Sequence, residues 1–286
     1  MLTLLFDGIA YGMLLFVLAV GLAVTLGLMN FINLAHGAFA MVGGYVTVLL
    51  MGRWGVPFFA TLPLAFAFTA LAGALFERTL YRPMYARPHL DQVLFSIGLV
   101  FMAVAAVDYF VGSQQQIVQL PAYLQGRFDF AAVGIGKYRL FIIVVCALLA
   151  VALQAVLSRT RFGSRLRASV DDPRVASGLG INVNRVFLLT FAVGSGLAGL
   201  GGALGAEVLG LDPGFPLKFM IYFLIVVSVG GTTTITGPLL AALLLGVADV
   251  FGKYYVPKLG AFIVYTLMIV ILTLRPQGLF GRAAGK

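Results

Sequence analysis

The sequence predicts an all-α fold, a polytopic bundle of membrane-spanning helices, and three observations lead there. Hydrophobic residues make up 61% of the 286 and charged residues only 10%, where a soluble domain carries about 25% charged residues. The apolar residues run in blocks, several of them near the length of about 20 residues that one helical crossing of a bilayer requires. The basic residues fall mostly between those blocks. A soluble enzyme and a single-anchor protein are both excluded, and one transmembrane domain over residues 1–286 is expected.

Nine apolar runs can be read in order. The N-terminus, Met-Leu-Thr-Leu-Leu-Phe-Asp, lacks the basic stretch of a signal peptide, so the first run, 5–28, is expected to be a retained helix. The second, 34–51, is the weakest as a simple helix. It opens on Asn30, Asn33 and His36 and contains Gly37, Gly43 and Gly44, so a broken or re-entrant segment is expected there. Runs 58–76, 93–111, 140–157, 186–209, 217–231, 237–252 and 259–274 complete the set. Nine crossings are the first choice and eight the alternative.

Basic residues set the expected orientation, because the loops that stay inside are enriched in Lys and Arg. With the N-terminus outside and the C-terminus cytoplasmic, the inside loops collect 12 of the 19 basic residues. Six of them, Arg159, Arg161, Arg165, Arg167, Arg174 and Arg185, lie in the single loop 158–185. The net charge of +9 therefore reads as topology rather than as nucleic-acid affinity.

Two loops stand out. Residues 112–139 form the longest outside segment, and the alternation through Phe128-Asp129-Phe130 suggests a short hairpin. In the loop 158–185, Asp171 and Asp172 precede Pro173, and Gly178 and Gly180 follow soon after. Aspartate caps the free N–H groups, proline suits the first turn and glycine takes the left-handed exit, so a short capped helix is expected. Such an element suits docking to a partner. A helix lying on acidic lipid headgroups through its arginines is the alternative.

The motif search is mostly exclusion. No G-x-x-x-x-G-K-[ST] phosphate loop is present, so the chain does not cradle a nucleotide by that route. Gly194-x-Gly196-x-x-Gly199 mimics a dinucleotide fingerprint but falls within an apolar helix; close helix packing is the better reading, with Gly201 and Gly205 as a G-x-x-x-G pair. One cysteine, Cys146, and two distant histidines cannot build a disulfide framework or a recognisable zinc site. Among the acids near membrane depth, Asp7, Asp108 and Glu207 fall near outer helix ends, whereas Asp249 is deeper and faces either a pathway or a helix partner. Two uncharged polar clusters, Asn33 to His36 with Gly37 and Thr232-Thr233-Thr234 with Thr236, accompany helix-breaking glycines. They line a pathway or are wet helix ends.

Asn33-Leu-Ala-His36-Gly37, followed by Gly43-Gly44-Tyr45, resembles the corresponding run of LivH-type permeases of branched-chain amino-acid ABC transporters. Gly163, Arg167-Ala168, Asp172-Pro173, Ala176 and Gly178-Leu-Gly180-Ile-Asn182 are similar to that family's coupling loop. Leu197-Ala198-Gly199-Leu-Gly201-Gly202, Val229-Gly230-Gly231, Gly237-Pro238 and Arg275-Pro-Gln-Gly-Leu-Phe-Gly281 fit in the same order. Thr232-Thr233-Thr234 depart from it, because the family usually places a glycine soon after Gly230-Gly231.

The resemblance implies a permease subunit of a bacterial ABC importer in the inner membrane, not an enzyme, that moves branched-chain amino acids or related small amino and carboxylic acids. It implies a second permease chain, identical or related, two ATPase subunits that bind the ATP and Mg, and a periplasmic substrate-binding protein. No cofactor or metal is expected in this chain. Coupling would fall to Arg165, Arg167, Asp171, Asp172, Pro173, Val175, Ala176 and Gly180, and the path to Asn33, His36, Gly37, Thr232, Thr233, Thr234 and Asp249. A secondary transporter or channel, and more remotely a polytopic membrane enzyme, are the rival readings.

Overall fold

The computed structural model describes residues 1–29, 31–130, 133–231 and 234–279. Asn30, Thr232, Thr233 and the terminal run from Phe280 to Lys286 lie outside the described residues. Among the described residues, nine helices coincide with the nine apolar runs. They are α1 (Leu2–Met29), α2 (His36–Trp54), α3 (Phe58–Phe76), α4 (His89–Val111), α5 (Lys137–Arg159), α8 (Val183–Leu209), α9 (Phe215–Gly230), α10 (Thr236–Tyr255) and α11 (Gly260–Leu274), with α6 (Arg161–Asp171) and α7 (Pro173–Gly178) between α5 and α8. Six of the nine are long and apolar enough to cross a membrane by length and composition. α9 and α11 are shorter, and α2 carries four glycines, His36 and Arg53. The chain is a multi-pass helical membrane protein.

Helix α1 is the centre of the bundle. Its most apolar window is 83% buried, against 17% for the comparably apolar α4 and α5, which lipid can cover. Leu14, Leu15 and Leu18 are wholly enclosed. Around α1 lie α10, α8, α5 and α9, while α8 also carries α2 and α3.

The glycines of α8 make this possible. A Cβ on Gly199 would strike Thr69 of α3, and one on Gly202 would fall on the Ala40 carbonyl of α2. Gly201 and Gly205 instead face Leu18 and Leu14 of α1. One helix thus approaches three neighbours closely, the small-residue packing expected where lipid removes the hydrophobic drive between helices.

Four buried hydroxyls of the membrane helices are satisfied within their own helices. Thr47, Thr69, Thr190 and Ser195 each donate to the carbonyl four residues earlier, at 2.7–3.2 Å, which removes the cost of an unpaired donor at membrane depth.

The 112–136 segment carries β1 (Arg127–Phe130) and β2 (Val133–Gly136), paired antiparallel with Arg127 opposite Gly136. The strands mark one end of the bundle and α6–α7 the other, because α5 runs from the first to the second. The polar residues His89, Arg53 and Lys137 extend their helices past the apolar runs seen in the sequence.

Candidate functional site

The interruption before α2 lies inside the protein. Phe31, Asn33 and Ala35 are buried at 0%, 1% and 2% exposure, so backbone that is not helical must find partners there. Gln92 of α4 supplies several. Its Oε1 accepts from the Ile32 N–H at 3.3 Å, while its Nε2 donates to the carbonyls of Arg87 at 3.0 Å and Met84 at 3.4 Å. Tyr81 donates its hydroxyl to Asn33 Oδ1 at 3.0 Å, and the ring nitrogen Nε2 of His36 meets the Leu18 carbonyl of α1 at 2.9 Å.

Gly37 rests on Pro216 at the start of α9. Asn33, His36 and Gly37 are thereby enclosed among α1, α2, α9 and the turn that follows α3. The residues that hold this break, Gln92 and Tyr81, are absent from the sequence reading. Gln92 was detectable as an uncharged polar side chain on the edge of an apolar run.

The second interruption separates α9 from α10. Of the threonines expected there, the described ones are Thr234 and Thr236, both exposed. Thr234 Oγ1 accepts from the Gly237 N–H at 3.3 Å and so caps the first turn of α10. The turn Arg275–Leu279 folds back on this region, with the Leu279 N–H donating to the Val229 carbonyl at 2.7 Å. The break is therefore clamped by the end of the described chain.

The arginine-rich loop is mostly helical. α6 was not expected, although Phe162, Leu166 and Val170 have helical spacing. Its inward stripe is Gly163, Leu166 and Ser169, and Thr160 caps it by accepting from the Gly163 N–H at 3.4 Å. α7 follows the expected grammar. Asp172 Oδ1 accepts from the Arg174 and Val175 N–H groups at 2.8 and 3.0 Å, Pro173 takes the first turn, and Gly180 has a φ of 82°.

Orientation of α7 differs from a helix that shows Ala176 to a partner. Ala176 is 1% exposed and turned inward, whereas Val175 is 59% and Leu179 75% exposed. Arg165, Arg167, Asp171, Asp172, Pro173, Arg174 and Gly180 are exposed around them. Arg167 also donates to the Leu157 carbonyl at the end of α5 at 2.5 Å, which ties α6 to that helix.

Two cavities lie on the α5–α1–α10 face, between α5 and the start of α10, and others open between α5 and α8. At the arginine-loop end, one of about 180 Å³ is lined by Ala23, Val24, Gln154, Ser158, Arg167 and Thr234 among others. A neighbour of about 400 Å³ adds Ala150, Arg159 and Thr236. Gln154 is exposed near the arginine-loop end of the apolar helix α5. At the strand end, a cavity of about 370 Å³ includes Tyr11, Arg139, Lys218, Tyr222, Asp249 and Lys253.

Asp249 is 2% exposed there. It forms an ion pair with Lys253 at 2.6 Å and accepts from Tyr222 at 3.3 Å. Arg139 pairs with Asp7 at 2.9 Å. The structure thus brings Thr234 together with Arg167 of the loop, and places Asp249 at the strand end of α10, beside α9. Asn33 and His36 lie behind α1 and line none of these cavities. Among the described residues, no cluster of three or more His, Cys, Asp or Glu side chains could hold a metal ion.

Residues 4–272 match the family described as branched-chain amino acid transport system / permease component. The chain is 30% identical over 293 residues to the high-affinity branched-chain amino acid transport system permease protein BraD of Pseudomonas aeruginosa, covering 97% of this chain and 95% of that one. It is 28% identical to the permease protein LivH of Escherichia coli K12, covering 97% and 94% of the two chains. It is also 28% identical to the permease protein LivM of Escherichia coli K12, covering 93% of this chain and 68% of LivM. No solved structure matches the chain.

Proposed function

The chain belongs to the branched-chain amino acid transport system permease family, and from that premise we propose that it is one membrane-spanning half of a bacterial inner-membrane ABC importer. Its cargo is a branched-chain amino acid or a related small amino or carboxylic acid. Similarity to both LivH and LivM supports a pore of two permease chains, the second identical or related to this one. Two separate ATPase subunits bind ATP and Mg, and a periplasmic protein delivers the substrate. The N-terminus lies outside, the nine helices that coincide with the apolar runs cross, and α6–α7 and the C-terminus are cytoplasmic.

The observation that carries this reading is the shared cavity of Arg167 and Thr234. It joins the loop that would meet the ATPase to one of the two helix breaks. We place the path on the α5–α1–α10 face at its cytoplasmic end, with Thr234, Thr236, Gln154 and Ser158, and beside α9 at its outer end, with Asp249. An exposed glutamine is costly against lipid, and a water-filled path closed by the second permease chain removes that cost. Thr232 and Thr233, outside the described residues, precede Thr234 in sequence and are assigned to the path with it. Asn33, His36 and Gly37 support the path by holding the start of α2 against α1 and α9.

Coupling runs through α7. Asp172, Pro173 and Gly180 shape it, Val175 and Leu179 present its apolar surface, and Arg165, Arg167 and Asp171 rim the contact. Ala176 anchors the helix from beneath. The test is leucine uptake by proteoliposomes that contain the complete transporter. Uptake should require ATP and the binding protein together. Equal uptake with ADP in place of ATP would replace this reading with a secondary transporter.

A further inference from the structure

The strand end of the bundle holds a cavity, lined mainly by α8, α9 and α10, that neither the coupling loop nor the threonine break touches. We propose that this cavity is a zwitterion site, where an apolar α-amino acid pauses after release from its delivery protein. The inference rests on the transport function proposed above and adds a place and a chemistry to it.

The argument begins with an asymmetric ion pair. Asp249 is 2% exposed and held by Tyr222, whereas its partner Lys253 is 55% exposed. The carboxylate is fixed and its counter-ion is loose. Stripping a buried carboxylate of its partner is strongly destabilising, so Lys253 can leave only if another ammonium replaces it. The amino group of a substrate is such a replacement. A place for the displaced lysine exists, because its ammonium already lies 5.8 Å from the centre of the Tyr11 ring, within range of a cation–π contact.

The other charges at the mouth fit the second half of a zwitterion. Arg139 is paired with Asp7 and is 39% exposed; Lys218 is paired with Asp212 and is 61% exposed. Each lining cation has one anion, Asp249 within the wall and Asp7 and Asp212 just outside it, so the three pairs together are neutral and dipolar. A free anion or a free cation gains little from such a lining, whereas a molecule with both charges can exchange partners with it. The substrate carboxylate meets Arg139, whose planar fork suits two oxygens, and the released Lys253. Phe219, Val208, Leu209 and Val250 form the apolar wall for the side chain. The volume of about 370 Å³ lies at the low end for small-molecule sites, as a single amino acid requires.

The site must also let go. A pathway site works when binding is weak enough to permit exit, and ion pairs that already have internal partners provide that weakness.

Maleimide labelling of Val250→Cys, in a Cys146→Ala background, tests the site. The chain is labelled with its partner subunits in phosphatidylglycerol discs, where no aminolipid headgroup supplies the same pair of charges. With a Kd of about 1 mM, leucine at about 10 mM should slow labelling about tenfold. Leucine methyl ester, which lacks the carboxylate, and 4-methylpentanoate, which lacks the ammonium, should not protect. Asp249→Asn and Arg139→Gln should each remove protection by leucine. Equal labelling with and without leucine would overturn the site, as would equal protection by the methyl ester. Uptake by the same purified complex in closed phosphatidylglycerol vesicles separates the two claims. Uptake without protection rejects the site alone, and protection without ATP-driven uptake rejects the transport reading while keeping the site.

Discussion

Truncating Leu179 to alanine should weaken attachment of the ATPase subunit about 20-fold without disturbing this chain. Leu179 is 75% exposed on α7. The substitution removes three carbons, each worth about 0.8 kcal/mol when buried. Scaled by the exposed fraction that docking can cover, the loss is about 1.8 kcal/mol, or about 20-fold in affinity. Val175→Ala removes two carbons from a side chain 59% exposed, which gives about 0.9 kcal/mol and a loss of about fivefold.

The two substitutions should leave the thermal stability of the permease unchanged, since neither side chain packs within it. Ala176→Arg should behave differently. It forces a long cation under α7, so it should lower stability as well as binding. The assay is equilibrium binding of the purified ATPase to the permease in lipid discs, alongside a thermal melt of the permease alone. If Leu179→Ala binds within twofold of the parent chain, α7 does not dock through the face that the structure exposes.

Three further outcomes follow from the packing and the proposed sidedness. Gln92→Leu leaves the Ile32 N–H and the Arg87 carbonyl without their partner, and should cost about 1–3 kcal/mol; an unchanged thermal melt would remove Gln92 as the anchor of the break. Gly202→Ala places a methyl group on the Ala40 carbonyl and should cost about 1–3 kcal/mol by overpacking. Gly52→Ala meets no atom within 4 Å and should be neutral or gain up to about 1 kcal/mol of helix propensity; an equal effect of both would contradict the close approach of α8 and α2. In intact spheroplasts, an impermeant maleimide should label Gln115→Cys and leave Ser177→Cys untouched until lysis. The reverse pattern would invert the proposed topology. Ser177 is the better probe of the loop, because Ser169 is wholly buried.

What could be read in the sequence was whatever depends on local composition. The helix runs are visible because each must be apolar for about 20 residues, and the α7 cap is visible because Asp172, Pro173 and Gly180 act within a few positions of one another. The break before α2 is visible because Asn33, His36 and Gly37 fit poorly into a simple apolar helix. Orientation was not visible. Ala176 turns inward and Leu179 outward because α6 and α8 pack beneath α7, a contact that no local pattern records.

The same limit applies to the two polar clusters. Asn33 and the Thr234 break look alike as sequence, yet Tyr81 and Gln92 enclose the first while Arg167 and Gln154 open beside the second. Lys253 stands at i+4 from Asp249, a spacing that suggests a pair, but Tyr222 comes to it only through the packing of α9 on α10. The glycine pair Gly201 and Gly205 was rightly read as packing. The tighter contacts of Gly199 and Gly202, on a second face of the same helix, depend on where α2 and α3 lie.

The claim that the α5–α1–α10 face is half of the pathway can be tested at one residue. Gln154→Cys, in a Cys146→Ala background, is exposed to a charged, water-soluble thiol reagent inside proteoliposomes that carry the complete transporter, with Phe68→Cys on the lipid-facing side of α3 as the comparison. Leucine uptake through the chain with Gln154→Cys should fall by at least about tenfold as the reagent reacts, because a water-filled path admits it and the adduct then blocks the path. Phe68→Cys should neither react nor lose uptake. An unreactive thiol at position 154, or full uptake after it has reacted, would contradict the pathway on this face.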